Sequence, residues 1–107
     1  MAREQSDILI RIKRAVLTGR YIFSKKARME MIEDGLAEAD VVEAIIYAPA
    51  IYKKVRSRSP YRKGAVEYLY IIQSVNLDGM LIYTKGKFVK DEEREIYYFL
   101  ISSKKAL

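Results

Sequence analysis

The chain has 107 residues, which suits one domain with its own hydrophobic core, and half of them are hydrophobic, which excludes a disordered chain. It contains neither cysteine nor histidine, so disulfide scaffolds, zinc ribbons, thiol nucleophiles and histidine acid–base catalysis are excluded. The net charge of +6, from 20 basic and 14 acidic residues, favours a polyanionic partner.

The first half of the chain predicts helices. Its polar start leads into no signal-peptide core, and no apolar run approaches the roughly 20 residues of a membrane span, so we expect a cytoplasmic protein without membrane contact. Apolar residues at helical spacing predict helices over residues 6–18, 25–34 and 38–47. Ser24 is the expected N-cap of the second helix and Gly35 its end. Residues 21–23 form a short extended or connecting stretch.

The second half predicts strands. Stretches rich in Tyr, Ile and Val cover residues 50–55, 65–75, 80–89 and 94–102. Residues 76–79 read Asn-Leu-Asp-Gly and predict a hairpin turn, while Gly86 marks a candidate bulge. The tail, residues 103–107, is expected to be loose. The chain is therefore predicted to be a single α+β domain over residues 1–107, with helices at about 6–48 on one face of an antiparallel sheet of three to four strands at about 50–102.

A basic segment follows the helices and is the first candidate site. Arg and Lys contact phosphates and Tyr stacks on unpaired bases, so this composition predicts a single-stranded RNA contact. The alternative is a solvated hairpin loop kept polar for solubility. The candidate RNA-binding residues are Lys53, Lys54, Arg56, Arg58, Tyr61, Arg62 and Lys63.

The end of the sheet carries the second candidate site. A ribonuclease without histidine needs cations at the scissile phosphate, and Lys or Tyr groups with pKa values lowered by nearby cations to move protons. The alternative is that Tyr is simply a favoured strand residue and Lys a common edge residue. The candidate catalytic residues are Lys85, Lys87, Arg94 and Tyr97.

Acidic residues cluster in the helical half. At their spacing they predict a solvated helix face with local ion pairs to Lys26 and Arg28 rather than a metal site. No metal or other cofactor is expected. The residues concerned are Glu30, Glu33, Asp34, Glu38, Asp40 and Glu43.

A motif around the second helix resembles that of a small uncharacterised bacterial domain family. Its pattern, Ser-x-His-Ala-x-x-Arg-Met-x-x-x-Gly-Ile and then Asp-Val-x-x-Ala-Ile, is matched at Ser24, Met31 and Gly35 and again from Asp40. The family His position is Lys26 here, and its Arg position is Glu30. That family is grouped with the RelE/ParE-like toxins, so the resemblance implies helices followed by a curved antiparallel sheet.

The resemblance also implies a function. RelE-like toxins that cut ribosome-bound mRNA use Lys, Arg and Tyr side chains on the sheet. These are the same residue types as the candidate catalytic residues. The implied activity is that of a toxin in a toxin–antitoxin pair, a metal-independent mRNA endonuclease with RNA or the ribosome and an antitoxin protein as partners. A non-catalytic RNA- or protein-binding module on the same fold is the main alternative. A gyrase-directed toxin of the ParE kind is the third.

Overall fold

Three helices and five strands make up the described part of the chain. The structure, a computed structural model, describes residues 2–58 and 66–106. In chain order its elements are α1 (Ala2–Leu17), β1 (Tyr21–Phe23), α2 (Lys25–Asp34), α3 (Glu38–Ile46), β2 (Lys53–Arg56), β3 (Tyr68–Val75), β4 (Leu81–Lys90) and β5 (Ile96–Lys105). The α+β class is confirmed. None of the described helices is long and apolar enough to span a membrane.

The ends of α2 follow from local chemistry. The Ser24 hydroxyl accepts a hydrogen bond from the Ala27 N–H at 2.9 Å, which satisfies a donor that the helix leaves unpaired. Gly35 ends the helix at a φ of 67°, a left-handed conformation that costs glycine little. Both predicted boundaries of this helix are confirmed, whereas α1 begins at Ala2, four residues before its predicted start.

The sheet is mixed, with strand order β1-β5-β4-β3-β2. β1 pairs with β5 in parallel, and the other neighbours are antiparallel. The prediction of an all-antiparallel sheet of three to four strands is therefore wrong. Residues 21–23, predicted as a short extended or connecting stretch, form the extended strand β1, which pairs with the edge of β5. The predicted loose tail is also wrong, since β5 continues to Lys105 and Ser103 is fully buried.

The helices cover one face of this sheet. Ile12 of α1 and Ile45 of α3 belong to the same buried cluster as Ile72, Ile82 and Leu100 of the central strands. Burial of such a side chain stabilises the fold by about 1.5–3 kcal/mol. On each central strand the alternate residues face away from this cluster, and they are partly exposed except for Ser102, which is buried beside Glu30 of α2.

Gly86 sits where two of the central strands change register. Lys85 lies opposite Ser102 but Gly86 lies opposite Leu100, so Ile101 is the extra residue of a bulge on β5. The predicted bulge is thus confirmed in position. A Cβ atom at residue 86 would lie 2.6 Å from Cζ of Tyr98, so the buried tyrosine ring needs glycine beneath it.

Helix α2 completes the edge of β5 where β1 ends. The Ser103 N–H donates to Oε1 of Glu30 at 3.1 Å, and the Lys105 N–H donates to Oδ2 of Asp34 at 2.8 Å. The Ser24 hydroxyl donates to the Ile101 carbonyl at 2.9 Å. One helical turn separates the two carboxylates, so they meet alternate strand residues and act in place of a neighbouring strand.

The predicted solvated acidic face is accordingly wrong for these side chains. Glu30 also accepts a hydrogen bond from the Ser102 hydroxyl at 2.7 Å, and Glu43 accepts one from the Leu77 N–H at 3.1 Å. Asp40 accepts one from the Asn76 amide at 3.0 Å. Arg28 does form an ion pair, with Glu38 at 3.5 Å.

Replacing Glu30 with alanine should lower the free energy of unfolding by about 1–3 kcal/mol, because the buried N–H of Ser103 loses its acceptor. Glu33→Ala, on the exposed side of the same helix, is the control and should change stability by less than about 0.5 kcal/mol. Urea denaturation measures both. Equal losses for the two variants would contradict the role given to Glu30.

Candidate nucleic-acid interface

The sheet face opposite the helices, which we call the open sheet face, carries a row of side chains that runs across four strands. Lys53 lies opposite Ile71, Ile71 opposite Lys85, and Lys85 opposite Ser102. Directly opposed residues lie on the same sheet face, so these four share it. Strands are about 4.8 Å apart, which places the backbones of Lys53 and Lys85 roughly 10 Å apart across Ile71.

A groove opens at one end of this row, between β2, β3 and β4. Val55 and Leu69 pair across β2 and β3 and form an apolar floor. We call it the basic groove; its lining is Val55, Arg56, Ser57, Arg58, Leu69 and Lys85. The structure thus brings two of the predicted RNA-binding residues, Arg56 and Arg58, together with the predicted catalytic Lys85.

Positive charge in the basic groove has no acidic partner within residues 2–58 and 66–106. Arg56, Arg58 and Lys85 form no ion pair or side-chain hydrogen bond with another residue of these ranges. Glu67, near the start of β3, already pairs with Lys87 at 3.1 Å. Like charges held this close repel one another, so the groove is electrostatically suited to an anion.

The remaining basic-segment residues are placed differently. Lys53 shares the open sheet face and is exposed. Lys54 and Arg56 alternate to the other face of β2, where the Lys54 ammonium lies 4.2 Å from the centre of the Tyr68 ring. Arg56 therefore lines the basic groove from the outer edge of the sheet. The candidates Tyr61, Arg62 and Lys63 lie outside the described residues. The segment is therefore not one continuous surface, and only part of it faces the groove.

The four candidate catalytic residues do not converge. Lys87 is two residues after Lys85 on β4 and is paired with Glu67. Tyr97 lies opposite Val89, two positions further along the same face than the Lys87–Phe99 pair. Arg94 is in the turn after Lys90, so its backbone is roughly 16 Å or more from that of Lys85. Of these four candidate catalytic residues, Lys85 is the one that lines the basic groove.

The motif residues hold α2 rather than line the groove. Ser24 caps the helix and binds Ile101, Met31 is buried, and Gly35 ends the helix. Lys26, at the family His position, is exposed on α2. This helix covers the β5 edge, whereas the basic groove lies towards β2 on the far side of the sheet.

A second groove lies on the same sheet face beside the first. Gln73, Tyr83 and Lys104 lie opposite one another across β3, β4 and β5. We call it the Tyr83 groove; its lining is Asp34, Gln73, Tyr83, Lys104, Lys105 and Ala106. Gln73 and Lys104 were not predicted as site residues, because only the strand register aligns them with Tyr83.

Among the tyrosines of residues 2–58 and 66–106, two have shifted pKa values, and both pKa values are raised. Burial, and then the negative charge of Glu30, raise the pKa of Tyr83 above its usual 10.0. Burial, and then Tyr70, raise the pKa of Tyr98 in the core. Both phenols are therefore protonated at neutral pH and act as hydrogen-bond donors or acids. The expected lowering of a tyrosine pKa by nearby cations does not occur at either of these two tyrosines.

The raised pKa of Tyr83 predicts a pH effect on stability. Above about pH 10 the unfolded chain loses this phenolic proton before the folded chain does, so the free energy of unfolding falls as the pH rises. Tyr83→Phe should reduce that fall and remove a late transition from an absorbance titration of phenolate. Tyr52→Phe, which removes an exposed phenol, is the control. A transition lost at or below pH 10.0 in Tyr83→Phe contradicts the assignment.

Comparison with protein-family models, curated proteins and solved structures finds no match to this chain. The relation to the RelE-like toxins therefore stays a prediction from the motif around α2. Among the described residues, no group of three acidic side chains is arranged to hold a metal ion. The open sheet face presents cations, an amide and a phenol.

Proposed function

We propose that this chain binds single-stranded RNA through the basic groove. The observation that carries the proposal is that Arg56, Arg58 and Lys85, without acidic partners in the described ranges, line one groove together with the apolar pair Val55 and Leu69. Cations at these positions gain by neutralising phosphates and releasing their counterions. The apolar floor gives the sugars and unstacked bases of a single strand a surface to contact.

The position of Lys85 argues against a purely protective role for the charge. Lysine on an edge strand is a common guard against unwanted strand pairing. β4, however, has β3 on one side and β5 on the other, so Lys85 guards no edge. It is half-buried at the centre of the sheet, where an ammonium without an acidic partner in the described ranges is stabilised when an anion binds it.

RNA cleavage is the second candidate function, and the position of Lys85 favours it. In this reading Arg56 and Arg58 hold the phosphates, and Lys85 stabilises the charge that develops on the scissile phosphate as the 2′-oxygen bonds to phosphorus and the P–O5′ bond breaks. The products are a 2′,3′-cyclic phosphate and a 5′-hydroxyl, with water taking the 2′ proton and supplying the 5′ proton. Such an enzyme would be the RelE-like toxin implied by the motif, acting on mRNA at the ribosome and restrained by an antitoxin. The separation of Arg94 from the groove is the reason that binding is placed first.

Neutralising the groove should weaken RNA binding and its dependence on salt. The variant Arg56→Gln/Arg58→Gln/Lys85→Gln loses up to three phosphate contacts, so the slope of log K against log salt should fall by about 2, at about 0.7 per contact for a single strand. Fluorescence anisotropy with an unstructured RNA oligomer measures it. Lys25→Gln/Lys26→Gln/Lys90→Gln, at exposed positions outside the groove, removes the same charge and is the control.

Two outcomes would count against the proposal. If both triple variants lose affinity and slope equally, binding depends on net charge and not on the groove. If the wild-type protein shows no salt-dependent binding at all, the groove has another ligand.

The same oligomer and programmed ribosomes test cleavage: strands cut without added metal by wild type and not by Lys85→Gln support the toxin. Intact strands, with harmless overexpression, remove the cleavage candidate.

A further inference from the structure

We propose that the Tyr83 groove is a subsite for one unpaired nucleobase that carries an exocyclic amine, adjacent to the phosphate held by Lys85. This inference rests on the proposed RNA binding and adds to it a position at which sequence is read. The basic groove supplies charge, which positions a nucleic acid without selecting its sequence. Selection requires groups that reach the edge of a base, and the Tyr83 groove contains them.

The two grooves are adjacent on one surface. Tyr83 and Lys85 are two residues apart on β4, so they share the open face with backbones about 7 Å apart. Gln73 and Lys104 flank Tyr83 directly on the neighbouring strands. A single nucleotide bound with its phosphate at Lys85 can therefore reach the Tyr83 ring with its base.

The side chains of the Tyr83 groove suit a base better than a phosphate. The Tyr83 ring is a stacking surface, and the Lys104 ammonium lies 5.4 Å from its centre. Gln73 offers both an acceptor and donors. The carboxylate of Asp34 also lines the groove, and a carboxylate repels phosphate but accepts a hydrogen bond from an amino group.

The protonation state of Tyr83 agrees with this assignment. Burial and the nearby charge of Glu30 raise its pKa, so the phenol stays neutral at physiological pH and adds no second negative charge to the groove. The acidic side of the groove is fixed by the fold, because Asp34 accepts the N–H of Lys105 at 2.8 Å. The acceptor is thus held in place by the contact that attaches α2 to β5.

Oligocytidylate and oligouridylate of equal length provide the test, since cytosine has an exocyclic amine where uracil has a carbonyl. Wild-type protein should bind the cytidylate about fivefold more tightly, the equivalent of one net hydrogen bond. Gln73→Leu should remove that preference while affinity for the uridylate is retained. Tyr83→Leu should weaken both by about tenfold, whereas Tyr83→Phe, which keeps the ring, should bind both like wild type.

The outcomes separate this inference from the proposed function. Equal affinity for the two oligomers, with binding still lost in the Arg56→Gln/Arg58→Gln/Lys85→Gln variant, overturns the subsite and leaves the basic groove intact. Binding of neither oligomer overturns both. A Gln73→Leu protein that weakens both oligomers equally, while it melts like wild type by circular dichroism, also overturns the subsite.

Discussion

The architecture depends on how the outer edge of β5 is completed. A strand edge left open exposes backbone donors and invites pairing with another chain. Here β1 satisfies the first part of the edge, and the carboxylates of Glu30 and Asp34 satisfy the rest. These contacts fix α2 along β5, and a buried cluster joins α1 and α3 to the same side of the sheet. The other face is left open to a ligand.

That open face has two chemically distinct parts. Towards β2, Lys85 and the two arginines line a groove with an apolar floor, and no residue of 2–58 or 66–106 supplies them with an acidic partner. Near the start of β4, Tyr83 presents an aromatic ring, and Gln73 beside it on β3 presents an amide. A single-stranded nucleic acid is divided in the same way, into charged phosphates and polar bases that can stack. Proteins recognise single-stranded RNA with cationic, aromatic and hydrogen-bonding side chains of these kinds. The correspondence supports RNA as the ligand of the whole face.

Part of the fold was predictable from local sequence chemistry. The bounds of α2 followed from Ser24 and Gly35, and the turn at residues 76–79 follows from its Asp-Gly pair, with Gly79 at a φ of 80°. Residues 21–23 were predicted only as a short extended or connecting stretch, because three residues show no period, and the buried end of β5 was missed because Ser103 was read as part of a polar tail. The basic residues of the groove were identified from composition. Their division between two faces, and the alignment of Gln73 with Tyr83, depend on strand register, which composition does not contain.

The most direct measurement is a nuclear magnetic resonance titration of the labelled protein with an unstructured RNA oligomer. The account predicts amide shifts along the row from Lys53 through Ile71 and Lys85 to Ser102, on the open face of the sheet. It predicts little change around Arg11 and Arg14 of α1, which also line a basic surface but on the helical side. Shifts concentrated at those two arginines, with the sheet row unaffected, would contradict it.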